Sequence, residues 1–215
     1  ENVSFDQLTL VISLRACGII AICDEKDAKK GQLAMEIGQG LHVDAHRKGY
    51  TSLCIVGNTL ISMYGKCGSA MDAQEVFRQL HNHTTNSWNA LIAAYGLNGN
   101  AEEAIELFKG MIHRGTIPDD ITFVSLLAAC SHAGLLYEGC LCFLLMYQEY
   151  GVKPTAEHYD CMVDLLCRVG LLDHAACLIN KMPWKPTIIA WTSLLCSTEN
   201  WQINDLDIRQ YLACL

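Results

Sequence analysis

Four glycines, Gly68, Gly99, Gly134 and Gly170, fall 31, 35 and 36 residues apart, and each separates the same two hydrophobic patterns. Apolar residues at i, i+3, i+4 and i+7 lie along one face of a helix. Ahead of the glycines this quartet is Gly57, Leu60, Ile61, Tyr64; then Trp88, Leu91, Ile92, Tyr95; then Phe123, Leu126, Leu127, Cys130; then Tyr159, Met162, Val163, Leu166. Behind them it is Ala73, Val76, Phe77, Leu80; Ala104, Leu107, Phe108, Met111; Gly139, Cys142, Phe143, Met146; and Ala175, Leu178, Ile179, Met182. A small residue opens every second stripe and lets the two helices approach closely. Glycine supplies the positive φ on which a helix ends before the chain reverses. A helix pair of this size leaves one apolar face uncovered, so neighbours must stack. The sequence therefore predicts an all-α fold, an α-solenoid of stacked helix-turn-helix repeats.

Composition is consistent with that core and removes several functions. With 51% hydrophobic residues and 4 Pro in 215, the chain buries enough to stay ordered. Its opening on Glu1 rather than Met reads as a fragment of a longer protein or a processed product. The apolar run Leu8 to Cys23 is broken by Arg15 and lacks a basic flank, which predicts a core helix and no membrane partner. No two of the 12 cysteines have C-x-x-C spacing, so reduced, packed thiols are expected. His42 and His46 stand i, i+4, but Val43 replaces the glutamate of H-E-x-x-H, and no metal is expected. His81 and His83 read as part of a solvated loop. Phosphate-cradling and nucleophile motifs are absent, which predicts no catalysis and no cofactor. The formal charge of −8 repels phosphate at long range, so nucleic-acid binding requires a local groove.

The repeat resembles the plant pentatricopeptide repeat, in Gly57-Asn58-Thr59-Leu60-Ile61-Ser62-Met63-Tyr64-Gly65-Lys66-Cys67-Gly68, in Ala129-Cys130-Ser131-His132-Ala133-Gly134-Leu135, and in His158-Tyr159-Asp160-Cys161-Met162-Val163-Asp164-Leu165-Leu166. The tetratricopeptide pattern W-x-x-L-G-x-x-Y fails at Ala90 and Leu91. Aligned on the resemblance, the units are 7–53, 54–84, 85–119, 120–155 and 156–187. The last four lengths, 31, 35, 36 and 32, resemble the PLS subclass, which is implicated in organellar RNA editing. At 47 residues the first unit exceeds the 36-residue one by 11, and the surplus near 19–33 reads as an inserted polar loop. From Ile188 to the end the chain begins like the family's first extension motif and then diverges. Neither H-x-E nor C-x-x-C is present, so the family's DYW-type zinc deaminase domain is absent from this chain.

The resemblance implies sequence-selective binding of single-stranded RNA by a non-catalytic segment of a mitochondrial or chloroplast editing or processing factor, with a deaminase or other editing-complex protein acting in trans. In the family the fifth and last residues of a unit read one base edge. Asn89 and Asp119 fill both positions of the third unit, a pair that favours uridine over cytidine. The other fifth positions are Val11, Asn58, Val124, Asp160 and Thr192; the other last positions are Leu53, Thr84, Thr155 and Thr187. Read without the resemblance, Asn58 and Asn89 bond nearby backbone at a helix start. Lys66, His132 and Arg168 form a column late in the first helices that would face RNA phosphates; read alone, they are solvated charges favoured by the helix dipole. Trp88, Phe123 and Tyr159 lie on the stripes and are expected in the core. Two other functions fit the same residues: a scaffold that grips a partner polypeptide, and a degenerate copy without RNA function.

Overall fold

The computed structural model describes residues 6–23 and 28–200, and among them there is no strand. The helices are α1 (Gln7–Cys23), α2 (Ala28–Arg47), α3 (Cys54–Lys66), α4 (Ala70–Gln79), α5 (Thr85–Leu97), α6 (Ala101–His113), α7 (Asp120–Ala133), α8 (Leu136–Gln148), α9 (Ala156–Arg168), α10 (Leu172–Asn180) and α11 (Ile188–Asn200), with a 3-10 turn at Tyr50–Ser52. This is an α-solenoid of stacked helix-turn-helix repeats. The chain divides within α7, between Ser125 and Leu126, into two compact units.

The turn at Gly99 is representative of how each pair is made. Gly99 has φ 76°, the left-handed conformation that a side chain makes costly. It lets Asn100 N–H return to Tyr95 O at 3.0 Å and satisfy a carbonyl that the end of α5 would leave open. The same return bond joins Ser69 to Tyr64, Leu135 to Cys130 and Leu171 to Leu166, at 2.9, 2.9 and 2.8 Å. The last residue of each first-helix stripe is thus also the acceptor that closes the turn.

In the first unit α1, α3 and α5 lie side by side, while α2, α4 and α6 fold back against them. Leu14, Leu60, Ile61, Leu91 and Ile92 are wholly buried between them. The α3–α5 contact depends on Gly65, where a Cβ would stand 2.5 Å from Ala94 Cβ and 2.7 Å from Ala94 Cα. Asn98 Nδ2 reinforces the same seam by donating to Gly65 O at 2.9 Å. Phe108 meets Phe123 edge-to-face at 5.6 Å. Trp88 packs likewise on Phe77 at 4.8 Å.

In the second unit α9 packs against α8, α10 and α11. Val163, Cys167, Ala175, Ile179 and Ala190 form its core. Tyr159 lies between Phe143 and Trp184, at 5.5 and 5.6 Å. A side chain at Gly139 would collide with Leu165, so the small residue opening that stripe permits the α8–α9 approach.

Several expectations need correction. The surplus near 19–33 is not a polar loop among the described residues: α1 continues to Cys23 and α2 already begins at Ala28. Residues 24–27 of the expected loop lie outside the described residues. Ala28, Lys29, Lys30 and Gln32 propagate a helix well, and Lys29 and Lys30 are exposed on its solvent side. Only one edge of α1 is core, with Leu10, Val11, Leu14 and Cys17 buried while Leu8 and Ile12 are exposed. The cysteines of the described residues are free, but Cys23, Cys140, Cys177 and Cys196 are exposed rather than packed. His83 is no solvated loop residue. Its ring stacks on Phe77 at 4.1 Å, and Nδ1 lies 3.1 Å from the Arg114 guanidinium, which covers Trp88.

Candidate nucleic-acid interface

The residues that precede α5, α7, α9 and α11 are Thr84, Asp119, Thr155 and Thr187. A helix start leaves N–H groups unbonded, and a short side chain with an oxygen acceptor satisfies one of them. Thr84 Oγ1 accepts Ser87 N–H at 3.3 Å, Asp119 Oδ1 accepts Thr122 N–H at 2.9 Å, and Thr187 Oγ1 accepts Ala190 N–H at 3.1 Å. At α9 His158 Nδ1 accepts Thr155 N–H at 3.1 Å, the reciprocal contact that Ser87 and Thr122 also make at α5 and α7. Threonine and aspartate at these places thus answer the same local demand.

At two of these junctions, those of Asp119 and Thr187, the capping residue also meets a polar side chain in the preceding first helix. Asn89, buried on α5, donates from Nδ2 to Asp119 Oδ1 at 2.8 Å. Thr122 Oγ1 lies 2.6 Å from Asn89 Oδ1 and 2.9 Å from Asp119 Oδ1. Its one proton serves one acceptor at a time, and Asn89 is the nearer. The amide therefore bonds side chains of the next helix pair, not the nearby backbone. In the second unit Thr187 Oγ1 donates to Asp160 Oδ1 at 2.5 Å. Burial pushes the Asp160 carboxyl above its ordinary pKa; the Thr187 bond opposes the shift and Glu157 adds to it.

Asn58 makes no such pair. Its Oδ1 is buried without a partner, and it lines a groove of about 700 Å³ with Thr84, Lys66 and Arg15. Two cations, Lys66 and Arg15, thus line the same groove as Asn58. Arg15 was not among the expected contacts; its only sequence signal is its isolation within an apolar run. Val124 is half-buried on α7, and Thr155 is half-buried ahead of α9.

The second unit offers a different surface. A groove of about 340 Å³ holds His132, Glu157, Asp160 and Asp164. His132 and Arg168 are exposed, but Arg168 Nε is engaged by Asp164 Oδ2 at 2.8 Å. Burial raises the Asp164 pKa, and hydrogen bonds from Ser131 and Arg168 more than offset this, holding it below the ordinary value. Arg168 is thus largely neutralised locally, whereas Lys66 stands with Arg15. His42 Nδ1 is likewise occupied, 2.9 Å from the Tyr64 hydroxyl. Among the described residues no group of three His, Cys, Asp or Glu is placed to hold a metal ion. No helix among them is long and apolar enough to cross a membrane.

Stacked helix pairs, joined where Asn89 meets Asp119 and Asp160 meets Thr187 by a polar side chain of one pair and a capping residue of the next, define a helical-repeat protein with a polar seam. The chain belongs to the pentatricopeptide repeat family. A model of the PPR repeat family matches residues 83–132, and the PPR repeat model matches 58–83 and 157–185. A mitochondrial pentatricopeptide repeat-containing protein of Arabidopsis thaliana is 48% identical over 164 residues, covering 76% of this chain and 25% of that protein. The chloroplastic protein CRR2 of the same plant is 40% identical over 197 residues, covering 92% and 28%. The fold is similar to that of the pentatricopeptide repeat protein PPR10 from maize, solved in complex with an 18-nt psaJ RNA element, with TM-score 0.63, 23% identity, and coverage of 83% of this chain and 25% of that one. The chain spans about a quarter of the length of these relatives.

Proposed function

We propose that the chain binds single-stranded RNA with sequence selectivity and without catalysing a reaction, as a segment of an organellar editing or processing factor of the PLS type. The observation that carries this reading is the Asn89–Asp119 hydrogen bond. It holds an amide and a carboxylate together at the two places that the family uses to address one base. An amide N–H beside a carboxylate oxygen can meet the acceptor and the donor on a base edge. Lys66 and Arg15, beside Asn58, supply the local positive field that a chain of charge −8 needs to hold a phosphate. Relatives named mitochondrial or chloroplastic support an organellar setting. The chain's residues carry no deaminase signature, so deamination, where it occurs, is the work of a domain or protein outside them.

A second reading is favoured by the groove of Glu157, Asp160 and Asp164. That surface repels phosphate and would suit a basic segment of a partner polypeptide, making the array a protein scaffold.

An electrophoretic shift of pooled short RNAs at several salt concentrations separates the two. RNA binding that weakens steeply with salt is expected. No shift at the lowest salt contradicts the RNA reading and leaves the scaffold.

A further inference from the structure

Asn89 is held by a side chain that a two-residue reading pair does not require. Thr122, wholly buried in the first turn of α7, places its hydroxyl 2.6 Å from Asn89 Oδ1 and accepts Asp119 N–H at 3.1 Å. The Asp119 carboxylate only accepts, so the amide must turn Nδ2 toward it. With Oδ1 taken by Thr122, Asn89 can offer a ligand its second N–H, beside Asp119 Oδ2.

The preceding junction supplies an internal contrast. Ser87 stands there in the place of Thr122, three residues after the capping Thr84. Its hydroxyl is turned to that cap, 3.0 Å from Thr84 Oγ1 and accepting Thr84 N–H at 3.2 Å. Asn58, the amide of that junction, keeps a buried Oδ1 with no partner. Two asparagines at equivalent places thus differ in whether a hydroxyl of the next helix pair engages the carbonyl oxygen.

We propose that Thr122 is a positioning residue that sets which hydrogen-bonding group Asn89 presents to a nucleobase, so that the third residue of one helix pair tunes the base preference of the pair before it. The inference rests on the RNA-binding reading. Removing the hydroxyl leaves Asn89 Oδ1 unpaired and available to any base donor, which broadens the choice at one nucleotide. Thr122→Ser keeps the hydroxyl and should keep the preference.

The test titrates the 215-residue chain, Thr122→Val and Thr122→Ser against four oligoribonucleotides that differ only at the nucleotide assigned to Asn89, at one fixed low salt concentration. The parent should prefer one base, Thr122→Val should reduce that preference about fivefold, the factor expected for one hydrogen bond, and Thr122→Ser should restore it. Neighbouring nucleotides should keep their preferences. A selective parent whose ratios survive in Thr122→Val overturns the inference alone. Equal weakening toward all four oligonucleotides also overturns it, since a merely structural cap would behave so. A parent that binds no RNA overturns the RNA reading and this inference with it. Should the valine variant not fold, Thr122→Ala lacks the same hydroxyl and is read by the same ratios.

Discussion

Asn89 Nδ2 donates to Asp119 Oδ1 at 2.8 Å across 30 residues of sequence. The bond ties the second turn of α5 to the cap of α7, so the polar seam is built by the same contacts that stack the pairs. Apolar contacts away from this bond, such as Gly65 on Ala94 and Phe108 on Phe123, carry stacking without touching the seam, so mutations there should change stability and mutations in the seam the choice of ligand.

The α3–α5 stacking is tested at Gly65. A methyl there would stand 2.5 Å from Ala94 Cβ and 2.7 Å from its Cα, so Gly65→Ala should cost about 1–3 kcal/mol by forcing the helices apart. Gly110, inside α6, is the opposite case: a Cβ would meet the Trp88 ring at 3.7 Å, an ordinary contact. Gly110→Ala should stabilise by roughly 0.5–1 kcal/mol through reduced backbone entropy in the unfolded chain. Chemical denaturation of both variants reads the two signs, and a neutral Gly65→Ala would refute the close approach.

Phe108 is buried and meets Phe123 edge-to-face. Phe108→Ala should open a cavity costing about 3–5 kcal/mol. Thermal unfolding should lose cooperativity, because each helix pair depends on its neighbours. An unchanged midpoint would show that the stripe is not core.

The helical pairs were legible because a turn glycine and an i, i+3, i+4, i+7 stripe are local signals, and the structure puts φ 76° at Gly99 and buries Trp88, Leu91 and Ile92 where that pattern required. Half-burial of Leu107, Phe143, Tyr159 and Leu178 shows the limit: periodicity finds the face, not how fully a neighbour covers it. Composition misread Lys29 and Lys30, since a solvated helix and a loop share the same residues. Asn89 and Asp119 could be paired only through the family resemblance, being 30 residues apart. Thr122 carried an unused signal, a hydroxyl three residues after the Asp119 cap, the spacing of a reciprocal helix-start pair. That it also reaches Asn89 depends on packing between helix pairs, which no local pattern encodes.

The acidic groove should respond to pH through two carboxyls of opposite sign. Asp164 titrates below the ordinary 3.8 because bonds from Ser131 and Arg168 outweigh its burial. Its contribution is full above 3.8 and is lost as pH falls through its lowered value. Burial raises Asp160, so its contribution is most favourable below 3.8 and declines as pH rises through its raised value. At neutral pH Asp164→Asn should destabilise by roughly 1 kcal/mol, a figure kept small because Arg168 is half exposed. Asp160→Asn should be neutral or stabilising there. Melting curves from about pH 2 to 7 span both titrations and check the pair, and the same sign for both would contradict the assignment.

The central claim, that Asn89 and Asp119 address one nucleotide together, is tested most directly by replacing Asn89 with Thr and measuring a ratio. A hydroxyl keeps one polar contact near Asp119, so the fold should survive. In the family's pattern a threonine and aspartate pair favours guanine. Preference at the nucleotide assigned to Asn89 should therefore move from uridine toward guanine by about 1–3 kcal/mol, the range of a base-edge contact, while neighbouring positions keep theirs. The affinities should be compared between oligonucleotides at one low salt concentration, since the charge of −8 weakens all of them together. A uridine-to-guanine ratio that does not move, with the variant folded and still binding, would contradict the account.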